Sequence, residues 1–187
     1  PVESLEAGLD LMWDGFGSWL NRLEGNLAVN AGFMVGHSAL RRVVMGEDAV
    51  GHEATPEQIA AMVALLHRSI EEGGMGFSST ASNTHNDHQG NPVPSRWATR
   101  DEFIALSTAA GQHAGTSLEF ISSASAFFND DEMNLMAHFS ETFTQFGGYD
   151  TTSPKCGVTD YSYFHLIPRI GLRDWFSNTL YSFFCSK

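Results

Sequence analysis

An α/β fold, with βαβ units around a parallel sheet, is what this 187-residue sequence predicts. Strand-like and helix-like patterns alternate along the chain, the mark of parallel strands joined by crossover helices. Two of the helices open on clear N-caps at Thr55 and Thr99. No glycine fingerprint follows a strand and opens a helix, which counts against the runner-up, an open doubly wound dinucleotide sheet.

The elements follow in order. Leu9 to Leu23 carries Trp13, Phe16, Trp19, Leu20 and Leu23 at helical spacing, and Gly25-Asn26 stops it. Leu27 to Val35, with small residues among apolar ones, reads as a buried parallel strand. Thr55 caps a helix with Pro56 at its first position and Gln58 closing a capping box. That helix continues through Ile59, Met62, Val63, Leu66 and Ile70 until Gly73-Gly74. Met75 to Ser79 is a short strand, and Thr80 to Ala98 a long polar loop. Thr99 caps a helix that runs to about Gly111, and Thr116 to Ile121 is the next strand. Asn129-Asp130-Asp131-Glu132 opens a helix through Leu135, Met136 and Phe139. The chain divides into residues 1–142, which keep this rhythm, and an irregular tail, 143–187, with eleven aromatics in 45 residues.

Composition narrows the function. The formal net charge is −12, and an acidic surface repels phosphate backbones, so no nucleic-acid partner is expected. No apolar run approaches the roughly 20 residues of a membrane helix, so no membrane partner is expected either. The acidic start lacks the basic and apolar regions of a signal peptide, and a cytoplasmic location follows as the expectation. Position 1 is Pro, which suggests that the natural start lies upstream. Cys156 and Cys185 are too few and too far apart for a disulfide framework and read as free thiols.

Three places could carry chemistry. His37 directly follows the Leu27–Val35 strand, with Arg41 one helical turn on. In a barrel of parallel strands that position faces the active-site mouth; the alternative is a histidine that packs or caps at a strand end. Ser78 and the loop after it form the second place. Between Asn83 and Asn91 lie two His, one Asp and three Asn, among them His85 and Asn86, with Arg96 beyond. A loop of this length suits substrate contact better than metal binding, since its spacing fixes no ligand geometry. Glu119 is the third: a carboxylate within Leu118-Glu119-Phe120-Ile121 either faces the barrel axis or pairs internally. No Gly-x-Ser-x-Gly nucleophile motif occurs, and His67 and His113 read as solvated or packed.

Four segments, in order and spacing, resemble the N-acyl-D-amino-acid deacylases of the amidohydrolase superfamily. They are Trp13 to Glu24, Leu27 to Gly46 with its Gly36-His37-Ser38-Ala39-Leu40-Arg41 core and Val44-Met45-Gly46, Ala54 to Met62, and Glu72 to Ser78. The likeness covers roughly residues 9 to 140. It implies a partial (β/α)-barrel of the TIM-barrel, metal-dependent hydrolase type. It also implies that the parent cleaves the amide bond of an N-acyl-D-amino acid or similar small amide, with zinc activating a water. The family's His-x-His pair, upstream Cys and final Asp motif have no match. Where many relatives carry a Thr-His-x-Arg strand this chain has Ser117-Leu118-Glu119-Phe120, which leaves Glu119 as the metal-ligand candidate. His37, Arg41, Ser78, His85, Asn86 and Arg96 are the substrate-contact candidates. The chain alone is expected to be inactive and to retain no zinc. The alternative is a non-catalytic binding or self-associating barrel remnant.

Overall fold

The structure, a computed structural model, describes residues 14–121 and 130–145. Three parallel strands form the sheet in the order β1 (Val35–Gly36), β2 (Gly76–Thr80), β3 (Ser117–Ile121). Between and around them run α1 (Phe16–Leu23), α2 (His37–Met45), α3 (Pro56–Glu71), α4 (Arg100–Gly111) and α5 (Asp130–Gln145). Short 3₁₀ turns lie at Gly46–Ala49 and Pro94–Trp97. The predicted α/β class with parallel strands is therefore present.

Local chemistry starts the helices where the sequence predicts. Thr55 Oγ1 accepts the N–H of Gln58 at 3.3 Å, while Gln58 Oε1 accepts the N–H of Thr55 at 2.8 Å, a closed capping box. Thr99 Oγ1 accepts the N–H of Glu102 at 3.2 Å at the start of α4. Among the described residues the first helix starts at Phe16, where Asp14 and Gly15 bend and donate their N–H groups to Ser18 Oγ, at 3.2 and 3.0 Å. Residues 1–13 and the aromatic tail beyond Gln145 lie outside the described residues, as do the first residue of the Asn129 cap and the stretch before it.

Leu27 to Val35 departs from expectation. Only Val35, with Gly36, joins the sheet, and Leu27 and Val29 are 46% and 73% exposed. A strand forms only where a neighbour supplies the ladder, and among the described residues nothing pairs with the outer side of β1. The segment is anchored at one end, where Phe33 packs edge-on against Trp19 with centroids 4.7 Å apart and Phe33 accepts the N–H of Met75 at 2.9 Å.

Successive strand residues face opposite sides. Val35, Phe77, Leu118 and Phe120 turn to one side, where Leu40, Met62, Leu66, Phe103 and Leu106 meet them in a single core. Gly36, Ser78 and Glu119 pair in one row across the other side. β2 and β3 approach closely at one point: Gly76, at φ 139°, sits where an added Cβ would fall 1.9 Å from the carbonyl oxygen of Ser117. Among the described residues no helix is long and apolar enough to cross a membrane.

Candidate functional site

The C-terminal ends of the three strands carry the predicted residues, but the fold distributes them over three settings. The first is buried under the helices. His37 opens α2 directly after β1, and its ring sits between Phe77 and Phe103, with centroids 5.4 and 5.2 Å away. Its Nε2 lies 2.7 Å from Glu102 Oε1 and its Nδ1 2.7 Å from Ser79 Oγ. Arg41, one turn on, donates from Nη1 to Glu102 Oε2 at 2.5 Å, from Nη2 to the His52 carbonyl at 2.6 Å and from Nε to the Ala49 carbonyl at 3.3 Å. His37, Arg41 and Glu102 are exposed by 1% or less.

Burial lowers the His37 pKa, against the opposing pull of Glu102. Burial alone would raise the Glu102 carboxyl; the hydrogen bonds and charges of His37 and Arg41 outweigh it and hold the carboxyl below its usual range. These directions assign the tautomer. Ionised Glu102 can only accept, so a neutral His37 donates from Nε2 and leaves Nδ1 to accept the Ser79 hydroxyl. Ser79, His37 and Glu102 thus form the bond chain of a nucleophile, base and orienter. Ser79 is only 6% exposed and turns to the helix-covered side, so no substrate carbonyl can reach it. The network is a staple that joins β2, α2 and α4.

Glu102 is the residue that reading the sequence missed. At the third position of α4 it resembles an ordinary capping glutamate. The available signal was indirect: a histidine and an arginine one turn apart on a helix that must be buried both call for a carboxylate.

The second setting is the other face of the sheet. Ser78 and Glu119 are half-buried and directly paired in register, with Gly36 completing the row. The third is the loop above β2. His85 and Asn86 are exposed there, and Arg96 is half-buried. Asp87 organises the loop tip, accepting the N–H groups of Gln89 and Asn91 at 2.8 and 2.9 Å. Those bonds hold the Asp87 carboxyl below its usual range. Arg96 Nη1 donates to Asn86 Oδ1 at 2.6 Å, and the Ser95 N–H donates to Ser38 Oγ at 3.2 Å, docking the 3₁₀ turn on the first turn of α2. The structure therefore brings together His37 with Arg41, Ser78 with Glu119, and Asn86 with Arg96, and keeps the three pairs in separate settings.

Away from this end, an open polar groove of about 400 Å³ lies between α1 and the end of α3, lined by Asp14, Ser18, Asn21, Arg68 and Glu72.

No family model matches the chain. A D-aminoacylase from Alcaligenes xylosoxydans xylosoxydans is 30% identical over 144 residues, which is 76% of this chain and 26% of that protein. A solved structure concerned with the role of the binuclear metal centre in D-aminoacylase matches with a TM-score of 0.50 and 26% identity, over 71% of this chain and 25% of that one. A second D-aminoacylase structure, described as defining a novel subset of amidohydrolases, matches with a TM-score of 0.50 and 25% identity, over 69% and 25%. The chain thus spans about a quarter of the length of these relatives.

The relatives' metal centre poses a test that the described residues do not meet. Among them no three His, Cys, Asp or Glu side chains gather as a ligand set. A metal held by protein needs about three such ligands even with an open position, and Glu119 on the bare face supplies one carboxylate. The sequence match over three quarters of the chain, the parallel βα order and the placement of His37 at a strand end agree with one another, and over that stretch the chain is similar to D-aminoacylase.

Proposed function

We propose that this chain is one portion of a (β/α)-barrel amidohydrolase that hydrolyses the amide bond of an N-acyl-D-amino acid or a similar small amide. The observation that carries the reading is the match to D-aminoacylase together with the bare polar row Gly36–Ser78–Glu119 at the sheet face away from the helices. In a closed barrel that face is the interior, and strand C-terminal ends form the active-site mouth. On this reading Ser78, His85, Asn86 and Arg96 contact substrate, and His37 and Arg41 hold the frame beneath them. Arg96, held by a neutral amide, offers the substrate carboxylate a guanidinium fork. Glu119 is the carboxylate this portion contributes toward a metal, with zinc as the family's ion. By itself the chain is inactive and retains no stoichiometric zinc.

Two measurements test this. The gene product that carries this chain should turn over N-acetyl-D-amino acids and leave the L-forms; equal turnover of both, or none, sinks the substrate assignment. The isolated chain should show no turnover and lose added zinc on dialysis; zinc retained at one per chain by elemental analysis overturns the second half.

A self-associating remnant is the second reading, and the exposed Leu27, Val29 and Met75 favour it. Among the described residues β1 has no strand on its outer edge, and an open edge invites pairing. A concentration-dependent shift in size-exclusion elution of the isolated chain supports this; a monomer at every concentration removes it. A nucleic acid or a membrane is not a partner on either reading.

A further inference from the structure

We propose that Ser38 and Ser95 form a latch, and that the loop of residues 82–98 opens on it as a flap at the mouth of the sheet. The loop follows β2, which ends at Thr80, and touches down on the first turn of α2, directly after β1. It therefore runs between the C-terminal ends of two strands.

The loop is bonded mainly to itself. The Asp87 N–H donates to the Asn91 carbonyl at 2.8 Å, the His85 N–H to the Ser82 carbonyl at 3.1 Å and the Arg96 N–H to the Val93 carbonyl at 3.0 Å. Asn86 and Pro92 form an antiparallel bridge, and Arg96 Nη1 donates to Asn86 Oδ1. At its root the Ser82 N–H donates to Thr80 Oγ1 at 3.1 Å. Beyond that root one hydrogen bond joins the loop to the rest of the described residues, from the Ser95 N–H to Ser38 Oγ at 3.2 Å. A segment bonded within itself and pinned at one point can open as a unit while the core stays folded.

The pin carries its own release. From Asn83 to Trp97, Ser95 alone is buried, at 1% exposure. Its Oγ is shut away from solvent and has no hydrogen-bond partner among the described residues. Closing the flap strips that hydroxyl of water and gives it nothing in exchange. One net hydrogen bond favours the closed state by about fivefold, and a stranded buried hydroxyl opposes it by about tenfold. The backbone of Ser95 thus holds the flap shut while its side chain works against closure. Asn86 and Arg96 ride on the flap, so the latch sets whether the Arg96 guanidinium stands at the mouth. That last consequence rests on the deacylase reading; the latch does not, and its test needs no turnover.

The test is native-state proteolysis of the full chain, wild type, Ser38→Ala and Ser95→Ala. Tryptic cleavage after Arg96 follows the population of the open flap when opening is fast, and cleavage after the buried Arg41 reports global unfolding. Each rate is taken relative to the same site in the urea-unfolded chain. Ser38→Ala removes the acceptor and should speed cleavage after Arg96 by about fivefold. Ser95→Ala keeps the N–H, removes the stranded hydroxyl and should slow that cleavage by about tenfold. The ratio to cleavage after Arg41 should move in the same two directions. Changes of one sign in both variants, or no change in either, overturn the latch. Should a variant fail to fold, hydrogen exchange on the wild-type chain still decides. The buried Ser95 amide should exchange at least about tenfold faster than the Phe77 and Ser79 amides of β2, because it opens below global unfolding. Exchange as slow as that of β2 means that the loop belongs to the core and the flap does not exist.

Discussion

The two faces of this small sheet are built from the same strands and behave oppositely. On one face Phe77, Leu118 and Phe120 sit under helices, and the polar groups among them are fully engaged: Ser79, His37, Glu102 and Arg41 bond only to one another and to two carbonyls. On the other face Ser78 and Glu119, their immediate chain neighbours, are paired in register and half-buried. A shift of one residue along a strand separates a structural ion network from a half-buried polar row. The comparison teaches that polar residues at strand ends need not act as one site. Alternation assigns them to different tasks.

The largest effect should come from breaking the covered face. Glu102→Ala leaves Arg41 charged and buried without its carboxylate, and should cost about 3–5 kcal/mol, enough to unfold a domain of marginal stability. Urea denaturation at pH 7 measures it. A cost near zero would mean that the network is solvated and the contrast between faces is false.

Gly76→Ala should come next. The added Cβ would meet the Ser117 carbonyl at 1.9 Å, and the residue adopts φ 139°, so both sterics and backbone oppose it. A loss of about 1–3 kcal/mol is expected, with reduced protection of the β3 amides in hydrogen exchange. Unchanged stability would place the β2–β3 pairing elsewhere.

Acid should act on the covered face through His37 and Glu102. His37 has a pKa lowered below 6.5 in the folded chain, so the unfolded chain binds the proton first and stability falls as pH drops below about 6.5. Glu102, lowered from 4.5, adds a further loss as pH falls below that value. Urea midpoints from pH 7.5 to 4 should decline, and Glu102→Gln should flatten the lower part of the decline. A flat profile in the wild-type chain would mean that His37 is not held neutral.

The smallest effect belongs to the bare face. Ser78→Ala and Glu119→Gln should each shift stability by no more than about 0.5 kcal/mol, as open positions do. If Glu119→Gln costs as much as Glu102→Gln, Glu119 is a structural ion and its proposed role at the mouth falls.

The sequence by itself determined the elements that close locally. Thr55 with Gln58, and Thr99 with Glu102, are bonds across three residues, so the caps at Pro56 and Arg100 follow from nearest neighbours alone. The parallel order of β1, β2 and β3 followed from helices long enough to cross back over the sheet. Tertiary structure alone decided the fate of Leu27 to Val35, because an apolar run becomes a strand only when another strand lies beside it. It also decided which polar residues meet. His37 reaches Ser79 across 42 residues and Glu102 across 65, distances at which no pattern in the chain specifies a partner. The fold closed those gaps by burying them, since a charged side chain withdrawn from water is tolerated only where its partner is already in place.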